Sequence, residues 1–549
     1  MKKILALILA MSLLLMCCAC VSQTPDNNSS TPNNSTNSTP SDDTSSDDNS
    51  SDDNSSEESQ LGSVVVDGFV LEEELEEEGK EEKQEVVPQT LNTKWYGNAT
   101  VTSSKSDAEA KKLRDSILNA KNTDEIYEIK GKKYYVSPNG DDENDGLSEK
   151  TAVRTLNAHI FTMNKIKSGD AVLFERGGLW RVTSTFVCRE GVTYGAYGKG
   201  DTKPAFYGSA KNYADPDDWI PSNLENVWKL TVADADVGQV VFNHGELIGV
   251  KKLNGLIALE ENGDYYFNSK EDTLYVYYKD ENPGKVFDDI EVALKLSLFT
   301  LNVKNVTIDN LCIKYVGAFG VDMGRNPHNT TITNCEMGFI GGSLQSGNLR
   351  YGNAIQAWNG TENFTVANNW IYQVYDAGIT WQGDYSWEAE SGDVYKNITF
   401  ENNLVEYCTY SFEFWHANGG DPNLSPATVE NFKLVNNISR FAGYGWGIQR
   451  PDSTGCHICV FQHLFPTAKN NAITGNIFDL SWGYMVNWRG DSRSNNGDWT
   501  IRDNAWYHTK NMANNGLIYC TWLNTTNQSQ LEYAVSIFDT NPAKVEWIS

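Results

Sequence analysis

Apolar and polar positions alternate in short runs through the C-terminal half of the chain, and the runs recur. Seven blocks share one pattern, an apolar residue followed two or three positions later by Asn: VTIDNL around Ile308, TTITNC around Ile332, FTVANN around Val366, ITFENN around Phe400, FKLVNN around Leu434, NAITGN around Ile473 and WTIRDN around Ile501. Successive centres lie 24, 34, 34, 34, 39 and 28 residues apart. Period-two alternation predicts a strand, and the Asn that closes each block tolerates the left-handed conformation of a tight corner. Asn369, Asn403, Asn437, Asn476 and Asn504 fall at one offset, which predicts an internal ladder of stacked amides. A second alternating run follows each block by about 13 residues: GVDMG near Val321, AIQAW near Ile355, GITWQG near Ile379, SFEFWH near Phe412, GIQRPD near Ile448 and MVNWRGD near Val486. Short strands, coils of this length and no 3.6-residue period predict an all-β chain wound as a parallel β-helix solenoid.

The first coils carry a resemblance. Tyr134-Tyr135-Val136-Ser137-Pro138-Asn139-Gly140, Asp145-Gly146, the stretch Gly169 to Phe174, Gly177-Gly178 and Trp180 resemble the opening of the right-handed β-helix, pectate-lyase-like superfamily. The resemblance runs from about Lys133 to about Cys520 and implies a right-handed solenoid whose open end is plugged by a helix, here Thr155 to Lys167. The expected layout is a lead-in with a short helix over 91–132, first coils and cap over 133–211, a small antiparallel β insertion over 212–300, and the main solenoid with its groove over 301–549. Similar insertions occur in bacterial members of unassigned activity, so the resemblance implies a fold and no single reaction.

Composition and charge sharpen this picture. The 549 residues are 40% AVILMFWYC with 44 Gly, the usage of a globular chain. The formal charge of -29 is unevenly placed: residues 21–90 hold 19 acidic side chains against Lys80 and Lys83, a net -17, and residues 91–549 hold about -14 once Lys2 and Lys3 are counted. Nucleic acid, which needs clustered Lys and Arg, is not an expected partner. Lys2-Lys3 and the apolar run Ile4 to Met16 have the form of an export signal, too short to span a bilayer. The run ends in Cys17-Cys18-Ala19-Cys20, which resembles a bacterial lipobox. Cys18 has Leu15 three positions before it and Cys20 has Ala19 directly before it, so either is the lipidation candidate. The implied location is the cell surface, through that lipid, with plain secretion as the alternative. Residues 21–90 are too polar to order themselves and are expected to form a disordered acidic linker.

Seven cysteines remain after Cys20, an odd and sparse set that builds no disulfide framework. Cys456-His457-Ile458-Cys459 with His463 has metal-ligand types, but a single Cys-x-x-Cys more simply means packing or one local disulfide.

Candidate chemistry lies on the outward positions of the second strands. One column reads Asp322, Gln356, Thr380, Glu413, Gln449, Asn487, and the next reads Gly324, Trp358, Gln382, Trp415, Pro451 beside Arg450, Arg489. Amides, carboxylates and tryptophans hydrogen-bond and stack on sugar rings, so this face is expected to bind a polysaccharide or oligosaccharide. Asp322, Gln356, Trp358, Gln382, Trp415, His416, Arg450, Arg489 and Arg350 are the substrate-binding candidates. In relatives of this fold the cleft follows this face, which implies that Asp376, Glu413, His416 and Arg450 lie near one another. Glycoside hydrolysis needs a carboxylic acid and a second carboxylate. Glu413 is the expected acid and Asp376, one coil back and about three residues earlier, its partner at roughly 11 Å of backbone separation. That spacing suits inversion better than retention. Glu413 as a purely structural carboxylate is the competing reading. A polysaccharide lyase, with an arginine or His416 against a uronate, and a glycan-binding surface protein without turnover are the alternative functions. Asp384, Asp452 and Asp491 are candidate calcium ligands, with ordinary turn chemistry as the simpler reading. No cofactor is required by the expected reaction, and a monomer is expected.

Overall fold

The computed structural model describes residues 104–162, 165–279, 281–324, 327–383, 393–416, 428–450, 455–462, 467–489, 498–509, 517–520 and 531–548, together with the strand Phe69–Val70. Within them the chain is a right-handed parallel β-helix. Three sheets of eleven, nine and twelve strands run the length of the stack. They are parallel throughout except where Phe69–Val70 pairs antiparallel with Leu179–Val182.

The repeat read from the sequence is the register of one sheet. Ile308, Ile332, Val366, Phe400, Leu434, Ile473 and Ile501 pair in that order, coil on coil. All are buried, because alternation turns each toward the interior. The corner residues Asn310, Asn334, Asn368, Asn402 and Asn436 have φ between 52° and 62°, the left-handed conformation that Asn accepts at lower cost than other side chains. The residue after the corner points inward: Leu311 and Cys335 in the first two blocks, Asn369, Asn403 and Asn437 in the next three. Asn403 Nδ2 donates to Val366 O and to Asn437 Oδ1, both at 2.9 Å, while its Oδ1 accepts from Asn369 N and Nδ2, both at 3.0 Å. The ladder continues through Asn476 and Asn504 and ends on the Asp539 carboxylate, which accepts from Asn504 Nδ2 at 2.9 Å. A second, exposed ladder runs through Asn305, Asn329, Asn363, Asn397, Asn431 and Asn470, each amide donating to the previous one at 2.7–2.9 Å.

A third strand lies between the two that the repeat reveals. Cys312–Val316, Glu336–Ile340, Trp370–Val374, Leu404–Glu406, Ile438–Ala442 and Ile477–Ser481 each begin two residues after the corner and stack as their own sheet. The helix Asp107–Leu118 lies outside this sheet, and its Ala110 and Ile117 pack with Trp370, Leu404 and Ile438.

Two expectations need correction. Among the described residues of the plug over Thr155 to Lys167 only His159–Thr162 is helical; Leu156, Ala158, Ile160, Phe161 and Ile166 still fill the end of the core. Side-chain burial, not helix length, closes that end. The other end is closed by the helix Leu531–Phe538, whose Leu531, Ala534, Val535 and Phe538 are buried in the same core. The second correction concerns GIQRPD near Ile448, which is not a strand. Trp446–Gln449 is a 3-10 turn, and Cys456–Gln462 takes the place in the sheet, with Ile458 between Phe412 and Val486.

The insertion supplies a five-stranded sheet spanning Ile220–Tyr277 and a three-stranded antiparallel sheet that includes Ile290–Ala293. Its segment Val250–Lys251 is an edge strand of the larger sheet.

Candidate active site

The nine-stranded sheet carries the candidate groove. Its inward residues Val321, Ile355, Ile379, Phe412, Ile458 and Val486 are fully buried, and Trp381 and Trp488, also inward, are core. The outward column is Asp322, Gln356, Thr380, Glu413, Cys459, Asn487. Cys459 therefore stands where Gln449 was expected. The cause is Trp446: its indole is buried against Tyr375 at 4.7 Å and Nε1 donates to Gln373 O at 2.9 Å, which draws the segment out of the sheet. Local alternation cannot register that pull.

The strand Tyr410–His416 does not alternate strictly. Ser411 and Phe412 are both fully buried, so Tyr410 and Glu413 share the outward face, as do Cys456 and Cys459 one strand on. His457 turns inward, where Nδ1 meets Ser439 Oγ at 2.6 Å and burial holds the imidazole well below its ordinary pKa. Cys456 and Cys459 are free thiols packed with Ala377 and Tyr410. The Cys-x-x-Cys is thus packing, with its histidine on the opposite face, and His463 lies outside the described residues. Among the described residues no three His, Cys, Asp or Glu side chains are grouped to hold a metal ion. Asp384, Asp452 and Asp491 lie outside the described residues, as do Cys18 and Cys20 and the side chain of His416.

Glu413 is 7% exposed and its Oε2 accepts from Gln382 Nε2 at 2.7 Å. On either side of Gln382, Trp358 and Trp415 reach over it and stack at 5.6 Å with an interplanar angle of 23°. Asp376 precedes the strand Ala377–Gly383, and since Ala377 pairs with Tyr410 it sits level with Thr409, four residues before Glu413 rather than three. It is 7% exposed and ion-paired to the Arg450 guanidinium, which lies 5.7 Å above the Tyr410 ring. Asp322 accepts from Gln356 Nε2 at 3.2 Å and from Ser297 Oγ at 3.4 Å, and burial raises its pKa above the ordinary carboxylate value. Asn353 bridges coils by donating to Gln356 Oε1 at 2.7 Å and accepting from Ala377 N at 2.8 Å.

Tyr351 is the participant that the sequence pattern did not single out. Burial raises its phenol pKa, and the charges of Asp376 and Asp322 both add to the rise. It sits in an irregular turn where no periodicity marks it. Two arginines are placed differently from the expected substrate contacts. Arg350 stacks on Tyr375 at 4.6 Å and donates from Nε to Gly342 O at 2.7 Å. Arg489 donates from Nε to Asn487 Oδ1 at 3.1 Å and lies 5.5 Å from the Tyr519 ring.

No family model matches the chain, and no curated protein matches it. Solved structures do. One titled as a glycoside hydrolase aligns at 9% identity over 76% of this chain and 96% of its own, with a TM-score of 0.44. A complex of XylC with xylose aligns at 13% identity over 76% and 82%, with a TM-score of 0.41. A rhamnogalacturonan lyase aligns at 10% identity over 73% and 86%, with a TM-score of 0.31. At these identities the likeness is one of fold.

Proposed function

We propose that the chain is a carbohydrate-active enzyme that hydrolyses glycosidic bonds in an extracellular polysaccharide, attached to the cell surface through a lipid on Cys18 or Cys20. The observation that carries the reading is a pair of buried carboxyls on one face in unlike surroundings, Asp376 against a guanidinium and Glu413 against an amide. Unlike surroundings separate the roles of two carboxyl groups. The Arg450 charge favours ionised Asp376, the form that takes a proton from water as general base. Gln382 holds Glu413 Oε2 as an acceptor, so the proton of a neutral Glu413 sits on Oε1, ready for the leaving oxygen. The four-residue offset and one strand spacing put the two backbones about 14 Å apart, so the side chains must lean toward a shared centre to reach the spacing of inverting enzymes, and the shorter spacing of retention is further out of reach. Trp358 and Trp415 offer a stacking surface for a sugar ring.

Elimination would instead need a cation to neutralise a uronate. Arg450 is paired with Asp376, and Arg350 and Arg489 are held by backbone and amide oxygens, which weighs toward hydrolysis. The test is incubation of the purified chain with plant and bacterial polysaccharides while following reducing ends, unsaturated-uronate absorbance and the anomer first released. Reducing ends of inverted configuration without that absorbance are expected, and Glu413→Gln should lower turnover about 1,000-fold with folding intact, within the range of general acid catalysis. Elimination products, or a fully active Glu413→Gln, would overturn the assignment. Absence of turnover on every substrate would favour a glycan binder.

A further inference from the structure

Arg450 reaches Asp376 from a segment outside the sheet, and something must hold that segment. The 3-10 turn Trp446–Gln449 is anchored twice. At its start, Trp446 is fully buried, its backbone N–H donating to Gln373 Oε1 at 3.1 Å and its indole to Gln373 O at 2.9 Å. At its end, directly before Arg450, Gln449 turns to the insertion. Gln449 Nε2 donates to Gly249 O at 2.9 Å, and its Oε1 accepts from Lys251 N at 3.3 Å. One side chain amide thus pairs with the free edge of Val250–Lys251 as a neighbouring strand would. That edge is itself fixed: Lys251 is buried, ion-paired with Asp236, and donates from Nζ to Val237 O at 2.7 Å.

We propose that the insertion is a brace for the active site, and that Gln449 is the positioning residue through which it holds Arg450 against Asp376. The proposal rests on the reading of Asp376 as the general base. An insertion more than a hundred residues away in sequence thereby acts on the reaction without touching substrate. Arg450 is ion-paired with Asp376, and the Tyr410 phenol from the next strand and the Tyr351 phenol from the preceding turn both feel the Asp376 charge, Tyr351 that of Asp322 as well. Arg450 is the cation in direct contact with the carboxylate, so its placement governs how readily Asp376 gives up its proton.

The test uses the full chain with Gln449→Met, which keeps the side-chain length and removes both hydrogen bonds, and Gln449→Ala. Loosening Arg450 should move the acidic limb of the kcat/KM profile upward by about one pH unit in both variants, the lower end of what an adjacent opposite charge supplies, with KM near its original value. A potentiometric difference titration, each chain against the same chain carrying Asp376→Asn, should show Asp376 taking up its proton at correspondingly higher pH. An unmoved limb together with an unmoved titration overturns the brace. A uniform fall in kcat at every pH, with Asp376 titrating as before, overturns it too and leaves Gln449 a structural contact. If Asp376→Asn retains full turnover the reading of the base fails, while the titration still decides whether Gln449 positions Arg450.

Discussion

Asn403 illustrates how much one polar side chain can carry inside this core. It satisfies Val366 O and Asn437 Oδ1 and receives two donors from Asn369, all without access to water. Replacing it by Leu orphans Asn369 N and takes a donor from Val366 O, while Asn437 Oδ1 keeps the backbone N–H of residue 403 and Asn369 Nδ2 keeps Ile332 O. An unsatisfied buried group costs about 1–3 kcal/mol, so Asn403→Leu is expected to lose about 2 kcal/mol or more in urea denaturation. Asn397, on the exposed ladder with φ of 54°, is the control. Asn397→Gly keeps the left-handed conformation accessible, and its loss should stay within about 0.5 kcal/mol. The internal ladder was legible because its asparagines share an offset with the apolar repeat. The external one was not, since an Asn beside Thr and Glu reads as ordinary surface.

Among the elements, the groove sheet shows where alternation is a sufficient guide and where it is not. It places Asp322, Gln356, Thr380 and Glu413 in one column because each follows an inward apolar residue by one position. It misassigns Gln449 because Gly447-Ile448-Gln449 alternates as well as a strand does, and only the burial of Trp446 decides otherwise. The third sheet escaped it because those strands start two residues after the corner, with a single inward residue between and nothing to announce a new element. Asp322 ties three strands of this sheet together through Ser297 and Gln356. Burial raises its folded pKa, so the folded chain holds this proton more tightly than the unfolded one, whose value is about 3.9. Its contribution to stability is complete below that value and is lost as pH rises through the folded pKa. Asp322→Asn removes the titration. The stability of the variant relative to the parent should then climb from pH about 4 toward neutrality and level off, as read by urea denaturation at several pH values. A pH-independent difference would contradict this.

For the whole molecule, the lead-in does more than precede the solenoid. Ser104 Oγ donates to Asp479 Oδ2 at 2.6 Å, and Ser106 donates to the same oxygen from N at 2.8 Å and Oγ at 2.7 Å, joining points more than 370 residues apart. Asp479 is fully buried, so removing these donors strands a carboxylate. The full protein carrying Ser104→Ala and Ser106→Ala should melt several degrees below the parent in calorimetry. Equal melting temperatures would show that the Ser106 N–H and the charge of Arg440 suffice for Asp479.

The coil repeat, the inward ladder and the outward carboxylates were determined by sequence alone. Each follows from which side of a strand a residue faces, a local property that stacking merely copies from coil to coil. The pairing of Arg450 with Asp376, the entry of Cys459 into the column, the exposure of Tyr351 to the charges of Asp376 and Asp322 and the hold of Gln449 on the insertion were decided only by the tertiary structure. These contacts arise where coils differ in length and their excursions fold back over the sheet. Such meetings depend on the packing of Trp446, Tyr375 and the insertion together, which no window along the chain contains.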